Sequence, residues 1–368
     1  MVFTAVLCTD IPEFQQNRVL DPQFAQQFPG TPIYPLLAGL LSQHGWELIT
    51  GDVAIADVDA GIRDAKTLFV IQEETSLFGQ QLIEKGSHPA VLLCGESPLY
   101  ARDFYESLEQ ISEPFPHRIL FSGAHTHSLH GANHTLYFPS FHKNHVHKQE
   151  PWKSRAFLAM MAGNKYYRHA AIPWPERILR SFREISHPGT YRWLRENQLH
   201  DTRLELVSYF SSVGRIDIYG QGWGNRQHLP KRWQRQLEAL KMSDPSIPYS
   251  GKAGTLSKYK FALTLENFRY PGYVTEKIID ALVAGTIPVY LGAPDIMNFV
   301  PAGAFVNLED FTSPQSLESF LDQVSPNQAE EMLLAGREFL SSTTGELFSI
   351  ESRAELLAEL LLDVAKGN

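Results

Sequence analysis

The stretch YKFALTLENFRYPGYVTEKIIDALVAGTIPVYLG, residues 259 to 292, decides how this chain is read. Two of its pieces, FALTLEN (261–267) and IPVYL (287–291), are apolar runs of strand length. Between them TEKIIDALVAG (275–285) repeats its apolar residues at helical spacing, with Thr275 at the N-cap position. A strand, a helix and a second strand in such close succession predict a parallel βαβ unit. Lys277 then stands out, because a cation in the first turn opposes the helix dipole. The unpaired N–H groups of a helix start attract phosphate, so a lysine there fits an anion site. The alternative is a capped surface helix with an incidental lysine. Glu266, Asn267, Tyr273 and Glu276 would offer acceptors for sugar hydroxyls beyond the carboxyl end of a parallel strand, where open α/β sheets bind ligands.

The same alternation extends towards the amino end. Strands are expected at 2–8, 46–50, 66–72, 90–94 and 117–123, and helices at 35–45, 76–86 and 101–111. Residues 123–155 interrupt the pattern. After AFLAMMAGNK (156–165) the alternation restarts: helices are expected at 175–185 and 202–212, then strands at 215–220 and 304–308, with helices from there to the end. This predicts an α/β protein of two Rossmann-like halves joined near residue 150.

A length of 368 residues favours more than one core. The net charge of −9 argues against nucleic-acid binding, which needs a basic footprint, while leaving room for a local basic pocket. Cys8 and Cys94 each lie in an apolar run and read as small hydrophobes of a reducing compartment, not as a disulfide framework. The first residues lack a basic leader, and no apolar run reaches the ~18 residues of a membrane span, so a cytoplasmic chain is expected.

Four features read as structural. The sequence DVD (57–59) is taken as a loop, and GQGWG (220–224) as a plain turn after a strand. Seven histidines, at 125, 127, 130, 134, 142, 145 and 147, lie close together with Lys143 and Lys148. No cysteine or carboxylate completes a tetrahedral set within HTHSLHGANH, so an inter-domain or acceptor-side loop is preferred to a metal site. The final helix opposes an apolar face (Leu356, Leu357, Leu360, Leu361, Val364) to an acidic one (Glu351, Glu355, Glu359), which suits packing on protein and not on an anionic bilayer.

YKFALTLEN (259–267), GYVTEKIIDALVAGTIPVYLGAP (272–294) and FVNLEDF (305–311) together resemble the signature segment of glycosyltransferase family 10, the α-1,3/4-fucosyltransferases. DTRLELVSYFSSVGRIDIYGQGWG (201–224) resembles that family's arginine-bearing helix and following strand, and LLCGESP (92–98) its amino-terminal turn. The resemblance implies the GT-B fold, two Rossmann-like domains facing across a cleft. Residues 1–150 would be the acceptor domain, 151–345 the GDP-fucose domain, and 346–368 a helix packed on the protein. It implies that Lys277 neutralises the GDP diphosphate with help from Arg203, and that Glu266, Asn267, Tyr273, Val274, Thr275 and Glu276 line the donor site.

By the same resemblance Glu96 is the base, and its place in the turn after a strand agrees. The implied reaction moves L-fucose from GDP-β-L-fucose, with inversion, to a hydroxyl of an oligosaccharide or glycolipid, the GlcNAc 3- or 4-OH. No metal or other cofactor is expected. A transferase using another GDP-sugar, or a glycan- or nucleotide-binding module without catalysis, are the alternatives. Neither the anchor and cysteines of animal Golgi members nor the basic repeats of some bacterial ones are read in these residues. A bacterial-type cytosolic enzyme, with peripheral membrane contact left open, is expected.

Overall fold

Short apolar runs build two parallel sheets in the computed structural model, which describes residues 3–126, 131–143, 150–164, 187–223, 234 and 251–367. The first sheet contains β1 (Thr4–Cys8), β2 (Glu47–Thr50), β3 (Leu68–Glu73), β4 (His88–Leu93), β5 (His117–Leu120) and β6 (Ala132–Thr135), in the order β2-β1-β3-β4-β5-β6. The second contains β7 (Ala156–Met161), β8 (Ile216–Tyr219), β9 (Tyr259–Leu265), β10 (Ile287–Leu291) and β11 (Val306–Asn307), in the order β11-β10-β9-β7-β8. Neighbouring strands are parallel throughout both. Strands buried on both faces need helices over them, hence the continuous apolar runs in place of alternation.

The chain divides into two units. One comprises residues 1–144, 271–276 and 343–368; the other comprises 145–270 and 277–342. The core of the first gathers Val6, Cys8, Val70, Leu92, Cys94, Phe104 and Leu120 under its helices. The core of the second joins Leu158, Met160, Val207, Phe210, Phe261, Leu263, Ile287 and Val289.

The decisive stretch folds as its pattern predicts. The helix Glu276–Val283 follows Thr275 and buries Ile278, Ile279, Ala281 and Leu282. Gly285, at φ +65°, takes the left-handed conformation that ends a helix, and the Thr286 N–H closes on Ala281 O at 2.9 Å. β10 begins directly afterwards and pairs with β9 from Ile287↔Phe261 to Leu291↔Leu265.

Four expectations are corrected. DVD (57–59) is the last turn of a helix, Gly51–Asp59, and Asp57 there holds Arg63 at 2.8 Å. The single helix expected at 101–111 is two, Arg102–Glu106 and Leu108–Ser112, broken at Ser107. The strand expected at 304–308 shrinks to β11, because 3-10 turns at Ala302–Ala304 and Leu308–Asp310 claim its flanks. The interruption at 123–155 contains a sixth strand, β6, paired to β5. The helix expected at 175–185 lies outside the described residues.

The helix Ile350–Gly367 packs its Leu357, Ala358, Leu360 and Leu361 face on the first unit, against the helix Ile33–Gln43 and β4. Among the described residues, no helix is long and apolar enough to cross a membrane.

Candidate functional site

The carboxyl end of β9 brings buried charged side chains together. The ladder continues one residue past the strand, with Glu266 N–H donating to Leu291 O at 2.8 Å. That fixes the Glu266 side chain in a fully buried position over Gly292, where a Cβ would stand 2.5 Å from Glu266 Cγ. A buried carboxylate needs a charged partner, and Lys277 Nζ donates to Glu266 Oε2 at 3.0 Å. The odd lysine of the helix start is thus held by an acid eleven residues earlier.

Arg203 enters the same place from the helix His200–Ser212 and is 2% exposed. Its Nη2 donates to Leu265 O at 2.8 Å, Glu266 O at 3.0 Å and Asn267 Oδ1 at 3.2 Å. These acceptors are the last carbonyls of the strand and the side chain just beyond it. The guanidinium therefore fixes the strand end while adding positive charge there. Leu199 N–H donates to Asn267 O at 3.1 Å, and Arg269 N–H to Asn197 O at 2.8 Å, tying the loop to the junction of two helices. A pocket beside Lys277 is lined by Met161, Leu263, Thr264, Lys252 and Asp280, the last two paired at 3.2 Å. The sequence reading missed Lys252 and Asp280. Asp280, one turn after Glu276 and set among the apolar Ile278, Ile279, Ala281 and Leu282, was the available signal.

Residues 271–276 belong to the first unit. Pro271 O accepts from Gly123 N–H at 3.0 Å, and the Tyr273 ring meets Phe121 edge-on, with centroids 5.0 Å apart. Val274 and Thr275 are buried, and Glu276 is half-buried. The structure therefore gathers Arg203, Glu266, Asn267 and Lys277 into one hydrogen-bonded group. Tyr273, Val274, Thr275 and Glu276 are fixed by the other unit.

Glu96 lies in the first unit, half-buried in the turn after β4. Tyr105 OH donates to Glu96 O at 3.0 Å and the Cys94 thiol to the same oxygen at 3.4 Å, so the turn is anchored through its backbone. Burial pushes the Cys94 thiol well up, reinforced by Glu74, which makes it a neutral wall and not a nucleophile. Glu74, which sequence reasoning did not single out, stands just past the adjacent β3 with its carboxyl pushed up to about 7 by burial and by Glu96. The signal was there: Glu74 follows one apolar strand run as GESP follows the next.

Of the histidines, His142 contacts Glu351 Oε1 at 2.8 Å, and the His134 ring meets His117 at a tilt of 49°, with centroids 5.6 Å apart. His127, His130, His145, His147 and Lys148 lie outside the described residues. Among the described residues, no group of three or more metal-ligating side chains forms.

A family model described as the C-terminal part of glycosyltransferase family 10 (fucosyltransferase) matches residues 189–333, the segment that supplies Arg203, Glu266, Asn267 and Lys277. The chain is 45% identical over 136 residues to human alpha-(1,3)-fucosyltransferase 4, covering 35% of this chain and 22% of that one. It is 32% identical over 155 residues to a 3-galactosyl-N-acetylglucosaminide 4-alpha-L-fucosyltransferase of Bos taurus, covering 40% and 36%. The chain thus spans between about a fifth and about a third of these relatives' length.

Among solved structures it resembles an alpha1,3-fucosyltransferase (TM-score 0.53, 14% identity, 98% of this chain and 90% of that one). It also resembles sucrose-phosphate synthase from Thermosynechococcus elongatus (TM-score 0.61, 12% identity, all of both chains). Likeness at such identities carries the fold alone, the GT-B class of two Rossmann-like units. Residues 189–333 of this chain thus match the C-terminal domain of glycosyltransferase family 10, the fucosyltransferases.

Proposed function

We propose that the protein is an inverting fucosyltransferase that takes L-fucose from GDP-β-L-fucose and attaches it to a glycan hydroxyl, the 3- or 4-OH of a GlcNAc. The hydrogen-bonded group of Arg203, Glu266, Asn267 and Lys277 carries this reading, because it puts two cations at a strand end inside the matched segment. In the reaction the acceptor oxygen forms a bond to fucose C1 as the C1–O bond to the β-phosphate breaks. The electron pair leaves with GDP, and the hydroxyl proton passes to Glu96. One displacement turns the β-linked donor into an α-linked product.

Charge grows on the departing diphosphate in this step, so Lys277, Arg203 and the start of the helix at 276 supply the stabilisation. Removing such a group typically costs roughly 10²–10³ in rate. This assignment needs no metal or other cofactor. Glu266 keeps the Lys277 ammonium in place between turnovers, at the expense of part of its charge.

The test has two stages. GDP is expected to raise the melting temperature more than UDP or CMP. GDP-fucose should then fucosylate a lactosamine-type panel, with the linkage read by NMR. A preference for UDP would reject the donor. Stabilisation by GDP without transfer to any acceptor would instead leave a nucleotide-binding module. Turnover with a different GDP-sugar would make the protein a related transferase.

A further inference from the structure

We propose that Glu74 sets the proton affinity of Glu96 and thereby the pH range in which the acceptor-side base works. The proposal deepens the fucosyltransferase reading and rests on it. β3 and β4 are neighbours in register, Glu73 opposite Leu93, and each is followed at its carboxyl end by one of the two acids. Glu74 N–H donates to Leu93 O at 2.9 Å, and Gln72 Nε2 donates to Glu74 O at 3.0 Å, so its backbone is clamped on both sides. It is held there at φ +51°, a left-handed conformation that non-glycine residues adopt at a cost.

Between the two glutamates stands one thiol. The Cys94 thiol lies within reach of Glu96 O at 3.4 Å and of the Glu74 carboxyl, and its single proton serves one of them at a time. Among the described residues, Glu96, Glu73, Asp10 and the neutral Cys94 act on the Glu74 carboxyl. Glu73 is itself buried against Tyr34 OH, and Asp10 accepts from Ser76 Oγ at 2.8 Å. No cation is among them, so burial and like charge act in the same direction on Glu74.

The consequence for catalysis is electrostatic. An ionised Glu74 disfavours negative charge on Glu96 and makes it the stronger base, whereas a protonated Glu74 does not. Glu74 acts through Glu96, so it is a positioning residue and not a catalytic one. The two acids titrate as a coupled pair, and the pair's upper step is what the reaction senses.

The acceptor kcat/KM of the wild-type enzyme is expected to climb with pH through about 7, following Glu74. Glu74→Gln stays neutral at every pH and should lack that climb. It should match wild type near pH 6 and fall roughly three- to tenfold below it near pH 8.5, the size expected when a base loses about one unit of basicity. Glu74→Asp, which keeps the charge, should restore the climb. A Glu74→Gln profile identical to wild type overturns the proposal.

A second measurement does not depend on turnover. The ¹³C carboxyl titration of Glu74 should move down by about half a unit or more in Glu96→Gln. An unmoved midpoint also overturns the proposal. If no acceptor is ever fucosylated, the functional reading has failed while this titration still decides whether the two acids are coupled.

Discussion

At the scale of single residues, Lys277 shows how a local oddity becomes a testable role. Its ammonium is bound by a fully buried carboxylate, and removing one partner of such a pair leaves the other charge uncompensated. Lys277→Ala should therefore lose GDP affinity and turnover together, transfer falling by roughly 10²–10³. Lys277→Ala with Glu266→Gln relieves the stranded charge and should recover stability but not GDP affinity. Calorimetric titration with GDP separates these outcomes, and unchanged affinity in Lys277→Ala contradicts the role. Glu96→Gln is the complementary change. It keeps the volume and the backbone anchors to Tyr105 and Cys94 while abolishing basicity. GDP binding should stay at the wild-type level while transfer drops by roughly 10²–10⁴; near-normal transfer would dismiss Glu96 as base.

At the scale of elements, the loop 271–276 depends on one glycine. Gly272 has φ +72°, and a Cβ there would lie 2.5 Å from Ser122 Oγ and 2.6 Å from Ser122 N. The hydroxyl could rotate away, but the backbone nitrogen cannot. Gly272→Ala should thus cost roughly 1–3 kcal/mol and displace the loop. A lowered melting temperature and faster amide exchange over 272–276 would register it, and wild-type exchange would contradict the packing. The βαβ unit on either side of this loop was legible in the sequence, since apolar runs, Thr275 and Gly285 all act locally. The helix Gly51–Asp59 was not, because its reasons are tertiary. Gly51 starts it tight against Cys8 and Phe78, where a Cβ would stand 2.7 Å from Phe78 Cβ, and the strand before it leaves no loop to mark the change. The candidate site divides in the same way. The residue types at the strand end and helix start could be read, while the Lys277–Glu266 pairing, the use of Arg203 on backbone carbonyls and the approach of Glu74 to Glu96 arise only when distant segments meet.

At the scale of the whole molecule, the chain leaves its first unit near residue 144, returns for 271–276, and returns again at 343. Local periodicity cannot reveal such returns, because each segment looks like an ordinary helix or loop wherever it docks. The last return carries a stability consequence. Phe348, Ile350, Leu357, Leu360 and Leu361 are all buried, and each contributes about 1.5–3 kcal/mol when removed from water. Their sum rivals the roughly 5–15 kcal/mol that holds an entire domain together. Arg353 adds a hydrogen bond to Tyr137 O at 2.9 Å from the same helix. Deleting residues 343–368 is therefore expected to unfold the first unit and not merely shorten a tail. Amides of β1, β3 and β4 should lose exchange protection, while those of β9 and β10, whose core draws on none of the deleted residues, should retain it. Native protection of β1, β3 and β4 in the truncated chain would mean that the final helix is an appendage, and that the core of the first unit is complete without it.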